Sequence, residues 1–211
     1  MASVDASALT LAARTDFVHA VISEKREAIM SFYPIQSIAS APDKSKSVLE
    51  QVQQTFGLIP NIAGAMANSP ELIKAFIGLF QQVHAGTFTE AEIQILLLTN
   101  AVTNSSAWAV AFHTMLALKQ DVAAVDVDAI RARRAPANKR LAALSILARK
   151  LIETRGHVIE QDLTAFAEAG FRPEQTLEIL AVIAASTITN YAGTMTEPPL
   201  EDFLQQHAWQ A

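Results

Sequence analysis

A chain of 211 residues, 51% hydrophobic and only 18% charged, is long enough to bury one sizeable core, or at most two small ones. Its formal charge of −5 argues against nucleic acid, which rewards basic surfaces, and the absence of cysteine excludes disulfides, thiolate metal sites and thiol redox chemistry. Seven glycines and eight prolines leave little room for long flexible linkers, so residues 1–211 are read as a single domain.

Met1 to Asp5 has no basic stretch followed by an apolar core, so no signal peptide is expected there. Helical spacing then covers 16–30 and stops before Phe32, Tyr33 and Pro34; the small polar residues of 37–45 read as a loop. A helix over Val48–Phe56 ends at Gly57, with Pro60 as a stop just beyond. Ser69 followed by Pro70 and Glu71 is an N-cap with proline at the first helical position, opening a helix to about His84. Thr89 and Glu92 form a capping box at the head of a helix reaching about Val102. Asn104 or Ser105 caps the next, Ser106–Lys119. Further helices are predicted at about 125–133, 138–154, 160–169 and 173–191, with a short one near 200–207. No stretch alternates like a half-buried strand, so the fold class is all-α.

Two of these helices are apolar on more than one stripe: Ile93–Val102 and Leu177–Ala185. A helix that is hydrophobic all round is buried on all sides, at the core or at a subunit interface. A homo-oligomer is therefore expected. Shifting the chain by 84 residues lays Glu90, Ile95, Leu96, Ala101 and Thr103 on Glu174, Ile179, Leu180, Ala185 and Thr187, a faint repeat that fits two helical halves packed together. The longest uninterrupted apolar run, Ile179–Ala185, is far shorter than the roughly 20 residues of a membrane span, and a cytoplasmic protein is expected. The basic group Arg131, Arg133, Arg134, Lys139 and Arg140 has no interleaved aromatics to stack bases and reads as a solvated edge.

On the helix after Asn104, the spacing of Ser106, Ala109 and His113 places all three on one face. Four segments resemble the carboxymuconolactone decarboxylase and alkylhydroperoxidase D superfamily, in its peroxidase-related branch. They are Phe56 to Asn61, Asn68 to Leu72, Glu90 to His113, and Gly170 to Tyr191, within a span of roughly 45–205. The resemblance implies an alkylhydroperoxidase D-like helical fold, assembled as trimers or hexamers. Redox members of that family carry a glutamate, eleven residues, Cys-x-x-Cys, three residues and a histidine. Those positions are Gln94, Ser106, Ala109 and His113 here, so only the histidine is kept. In the redox members the second cysteine attacks peroxide and the first resolves the disulfide, which neither alanine nor serine can do.

The candidate catalytic residues are His113, as a general acid or base near neutral pH, with Gln94 orienting it and Ser106. Seven residues on one helix separate Ser106 from His113 by about 10.5 Å along the axis, too far for a direct hydrogen bond, so Ser106 is expected to cap the helix or line the pocket. Trp108, Ala109, Asn190 and Tyr191 are the candidate substrate-binding residues; for Trp108 and Tyr191 a core or interface role is the simpler reading. Glu92 is explained by its capping box, and His84 by the C-terminal end of its helix. His19, His157 and His207 are scattered. No histidine and carboxylate set has metal-ligand spacing and no glycine-rich phosphate loop is present, so neither metal nor cofactor is expected.

Three functions remain open. One is acid–base chemistry on a small organic acid or lactone through His113. The second is a peroxidase-related protein whose thiol is lost at Ser106. The third is a non-catalytic oligomer that binds a small molecule.

Overall fold

The computed structural model describes residues 31–210, together with 18, 20, 21, 23–25, 28 and 29; the helix expected over 16–30 lies largely outside the described residues, as does His19. Residues 18, 20, 21, 23–25, 28, 29, 31 and 32 are helical, and nine α-helices and a final 3-10 turn follow from Asp43 onward, with no strand among the described residues. In chain order the helices are α1 (Asp43–Phe56), α2 (Asn61–Met66), α3 (Pro70–His84), α4 (Glu90–Thr103), α5 (Ala107–Lys119), α6 (Ala124–Arg131), α7 (Lys139–Glu153), α8 (Glu160–Glu168) and α9 (Pro173–Thr196).

The local stop and start signals act as the sequence implies. Gly57 closes α1 in the left-handed region at φ 75°. The Ser69 hydroxyl accepts from the Leu72 amide at the head of α3. At α4, the Glu92 amide donates to Thr89 Oγ1 and the Thr89 amide donates to Glu92 Oε2, completing the capping box. Tertiary contacts move other boundaries. α1 begins at Asp43, inside the expected loop, because Ser45 is buried there and donates to the Ala67 carbonyl at 2.8 Å. Pro60 does not end the helical path but precedes α2, whose Asn61 amide donates to Glu201. Ser106 sits at the N-cap of α5, yet its side chain caps nothing.

The two apolar helices differ in burial. α4 packs against α5, α7 and α9, and every residue from Glu92 to Val102 is buried. α9 is buried on one face only. Ile179, Val182 and Ala185 enter the core, while Leu177 (67% exposed), Leu180, Tyr191 (63%) and Met195 form a stripe on the surface. The expectation of burial all round therefore holds for α4 and not for α9 within one chain. By length and composition α9 is apolar enough to cross a membrane, although its buried face packs as that of a core helix does.

Arg133, Arg134, Lys139 and Arg140 are exposed, as a solvated edge requires, but three members of the basic group are also tied down by specific contacts. Arg131 donates to Thr114 Oγ1 and to the His207 and Ala208 carbonyls, pinning the C-terminal turn. Arg133 donates to Ser105 Oγ and lies over the Trp209 ring. Arg140 bonds the buried Glu92 carboxylate at 2.7 Å, donates to the Gly170 carbonyl and covers the Phe171 ring at 3.7 Å. One guanidinium thus joins α7 to the head of α4 and to the loop before α9. Replacing Arg140 by alanine leaves Glu92 buried with only its local Thr89 contacts. A loss of about 2–3 kcal/mol is expected, read by chemical denaturation, with Arg140→Lys recovering part of it.

Candidate functional site

α4 and α5 fold back on each other through the tight turn at 104–106, where Ser105 takes a left-handed conformation and the Ser106 amide donates to the Ala101 carbonyl. The hairpin brings Gln94 against His113. His113 Nδ1 lies 3.0 Å from Gln94 Oε1. An amide oxygen only accepts, so Nδ1 carries the proton and Nε2 keeps its lone pair. His113 Nε2 makes no hydrogen bond among the described residues.

The imidazole borders a small apolar cavity of about 50 Å3. Aromatic rings close it from three sides: Phe56 of α1, Phe76 and Phe80 of α3, and Trp108 and Phe112 of α5. Trp108 stacks on Phe112 with 4.9 Å between ring centroids, and its Nε1 donates to Glu201 Oε2 at 3.0 Å. On the α9 side the wall is Ala185, Ser186 and Thr189. Ser186 Oγ accepts from Asn190 Nδ2 at 3.2 Å, which leaves the Ser186 hydroxyl hydrogen free to donate. The cavity therefore offers the unpaired His113 Nε2 as an acceptor, the Ser186 hydroxyl as a donor, and the Thr189 hydroxyl, which donates to the Ser186 carbonyl, in a wall that is otherwise apolar. No lysine or arginine lines it.

Burial dominates the electrostatics. It lowers the His113 pKa from 6.5 to about 3, with a smaller contribution from nearby His84. Burial thus holds His113 below the neutral range expected of it, and no carboxylate is hydrogen-bonded to it among the described residues to offset that.

The structure brings His113, Gln94 and Trp108 together. Asn190 stands one layer behind the wall, holding Ser186. Ser106 and Ala109 are buried but lie off the cavity wall. Ser106 is 1% exposed, its hydroxyl has no hydrogen-bond partner, and it packs against Gly193, where an added Cβ would come within 3.3 Å. The expected capping role is thus not fulfilled. Tyr191 points out to the surface and is no part of this wall. The sequence reading missed Ser186 and Thr189, although polar residues directly after the apolar run of α9 signalled them. It also missed that His84 Nδ1 meets Glu90 Oε1 at 2.8 Å.

Among solved structures, the chain superimposes on the alkylhydroperoxidase AhpD core of an uncharacterized peroxidase-related protein from Ralstonia eutropha JMP134. The TM-score is 0.71 at 22% identity, over 82% of this chain and 93% of that one. The fold is that of the AhpD core. A peroxidase-related protein from Silicibacter sp. TM1040 gives a TM-score of 0.66 at 19% identity, over 81% and 91% of the two chains. The debrominase Bmp8, as a cysteine-to-alanine variant in complex with 2,3,4-tribromopyrrole, gives 0.63 at 19% identity, over 78% and 89%. No family model and no curated protein matches the sequence.

His113 also sets an acid limit on stability. The folded state resists protonation that the unfolded chain accepts, so this contribution is complete above pH 6.5 and is lost as pH falls toward about 3. His113→Gln is expected to show a shallower fall of stability across that window than the parent, by up to about 1.4 kcal/mol per pH unit. Denaturant midpoints measured from pH 7 to pH 4 check this, and parallel curves refute it.

Proposed function

We propose that this protein binds a small, uncharged, largely apolar molecule carrying one O–H or N–H group, which donates to His113 Nε2 inside the aromatic cavity. The observation that carries the reading is the His113–Gln94 hydrogen bond, which leaves a neutral imidazole with its acceptor nitrogen unpaired beside the cavity. A carboxylate would enter a wall without a cation and meet an imidazole that stays neutral, so an ionised organic acid fits poorly. A phenol, an enol, a hydroxylated lactone or a heteroaromatic N–H fits better, with Ser186 donating to an acceptor on the same molecule. The pyrrole bound by Bmp8 is a small apolar ring with one N–H, the same chemical class. Any acid–base step at His113 is limited by its low basicity to polarising the donated proton rather than removing it.

Calorimetric titration with pyrrole and 2,3,4-tribromopyrrole against their N-methylated counterparts tests this. The N–H forms are expected to bind at least 10-fold more tightly, and His113→Phe to erase that preference. Equal affinity for the N-methyl compounds ends the reading.

A second reading, a peroxidase-related protein whose thiol has been replaced, is favoured by Ser106. A buried hydroxyl without a partner costs stability at a position where a thiol packs as a small hydrophobe. A double variant, Ser106→Cys with Ala109→Cys, is expected under this reading to be at least as stable as the parent and to consume hydroperoxide in the presence of a reductant. A stable double variant that consumes none removes the reading.

A further inference from the structure

Among the described residues, no exposed side chain stands in the wall of the inner cavity. Phe56, Phe76 and Phe80 are half-buried, and the rest of the wall is buried. The way in from solvent therefore runs past one of three phenylalanine rings.

Two larger spaces lie outside. An outer chamber of about 290 Å3, between α1, α3, α4 and α5, carries the side-chain amides of Gln51, Gln81, Gln94 and Gln120. It shares Val52, Phe56, Ile77 and Phe80 with the inner cavity as a common partition. A third space of about 420 Å3 is bounded by Leu58, Met115, Lys119 and Phe203, and shares Phe56, Pro60 and Phe112 with the inner cavity. Gln81 and Gln120 of the chamber are exposed, as are Lys119 and Phe203 of the third space, so both lead to solvent. Among the described residues, Phe56 alone belongs to all three walls. Phe80 borders the inner cavity and the chamber, and Phe76 borders the inner cavity and neither outer space.

The backbone at Phe56 leaves its ring room to turn. Phe56 is the last residue of α1, and Gly57 leaves the helix in the left-handed region with open space where a Cβ would stand. The Phe56 ring meets two others at the edge of packing range, Phe80 at 6.3 Å and Phe112 at 6.1 Å between centroids. Phe80 is held harder. It stands a full turn inside α3, with its ring 5.6 Å from Phe76 and 4.3 Å from His84. A rotamer change at Phe56 carries the ring off the partition and into a space larger than the one it closes.

We infer that Phe56 is the gate of the inner cavity and sets the size of the molecule that enters it. With the ring across the partition, the inner space is closed at about 50 Å3. With the ring turned out, that space is continuous with both outer ones. What the gate admits rests on the binding role proposed above; that it opens and closes does not.

Trp108 reports on the gate without any ligand, because it lines the inner cavity and is 7% exposed. Trp209 is the only other tryptophan, so Trp209→Phe leaves the fluorescence to Trp108 alone. The probes are two neutral quenchers, acrylamide and the bulkier ring succinimide. In the Trp209→Phe protein, acrylamide is expected to quench Trp108 several-fold faster than succinimide. Adding Phe56→Leu is expected to raise the succinimide rate several-fold and to narrow that difference, and Phe56→Ala to do so further. The leucine variant carries the test alone if the alanine variant proves unfolded by circular dichroism. Phe76→Leu takes the same atoms from the same wall, and so matches the loss of packing, without joining the cavity to an outer space. It is expected to raise the succinimide rate less than twofold. Equal quenching by the two compounds before Phe56 is changed, no rise in Phe56→Leu, or an equal rise in Phe56→Leu and Phe76→Leu overturns the proposal. A pyrrole titration without binding refutes the binding role and leaves the quenching to decide the gate by itself.

Discussion

Every polar side chain on a helix without a solvent face must find its partner inside the protein, because water cannot reach it. α4 is such a helix, and its polar residues mark where the rest of the structure attaches. Glu92 is met by Thr89 and by Arg140 of α7. Thr99 Oγ1 donates to Ser145 of α7. Asn100 Oδ1 accepts from Asn104 at the turn into α5, while its buried Nδ2 is the exception and has no partner among the described residues. Gln94 is met by His113. The candidate site is thus one of a series of buried polar contacts that fix α4 in register. His113 is held in a chosen tautomer by the same requirement that holds the fold together.

That constraint explains the division between the two spaces. On the inner side, the surroundings of His113 are so depleted of water and charge that the imidazole stays neutral. On the outer side, the end of α3 and the start of α4 place a carboxylate beside a second imidazole, in a wall rich in amides.

Much of the helical frame was legible because its signals are local. Ser69 with Pro70, Thr89 with Glu92, and Gly57 each act within one turn of chain, and each does in the structure what its type implies. The pairing of Gln94 with His113 was legible only through the family resemblance, since nothing in their separation of nineteen residues announces a contact. Features set by distant packing escaped. The head of α1 is polar and looks like a loop until Ser45 finds the Ala67 carbonyl. Ser106 looks like a cap until α9 brings Gly193 against it. Leu177 and Leu180 look like core until α9 is seen to have neighbours on one side only. The cavity itself belongs to six helices at once, and no single stretch of chain encodes it.

The burial of α4 has a consequence for motion. Its amides can meet solvent only when the helices around it come apart, so amide exchange there tracks global unfolding rather than any local opening. The partition between the two spaces is hung on α1 and α3, through Phe56 and Phe80, and both of those helices have exposed faces. On the binding role proposed above, the movement that admits a ligand is one of α1 and α3 over a stationary α4. The acceptor histidine and its amide stay fixed in the wall while the aromatic side of the chamber yields.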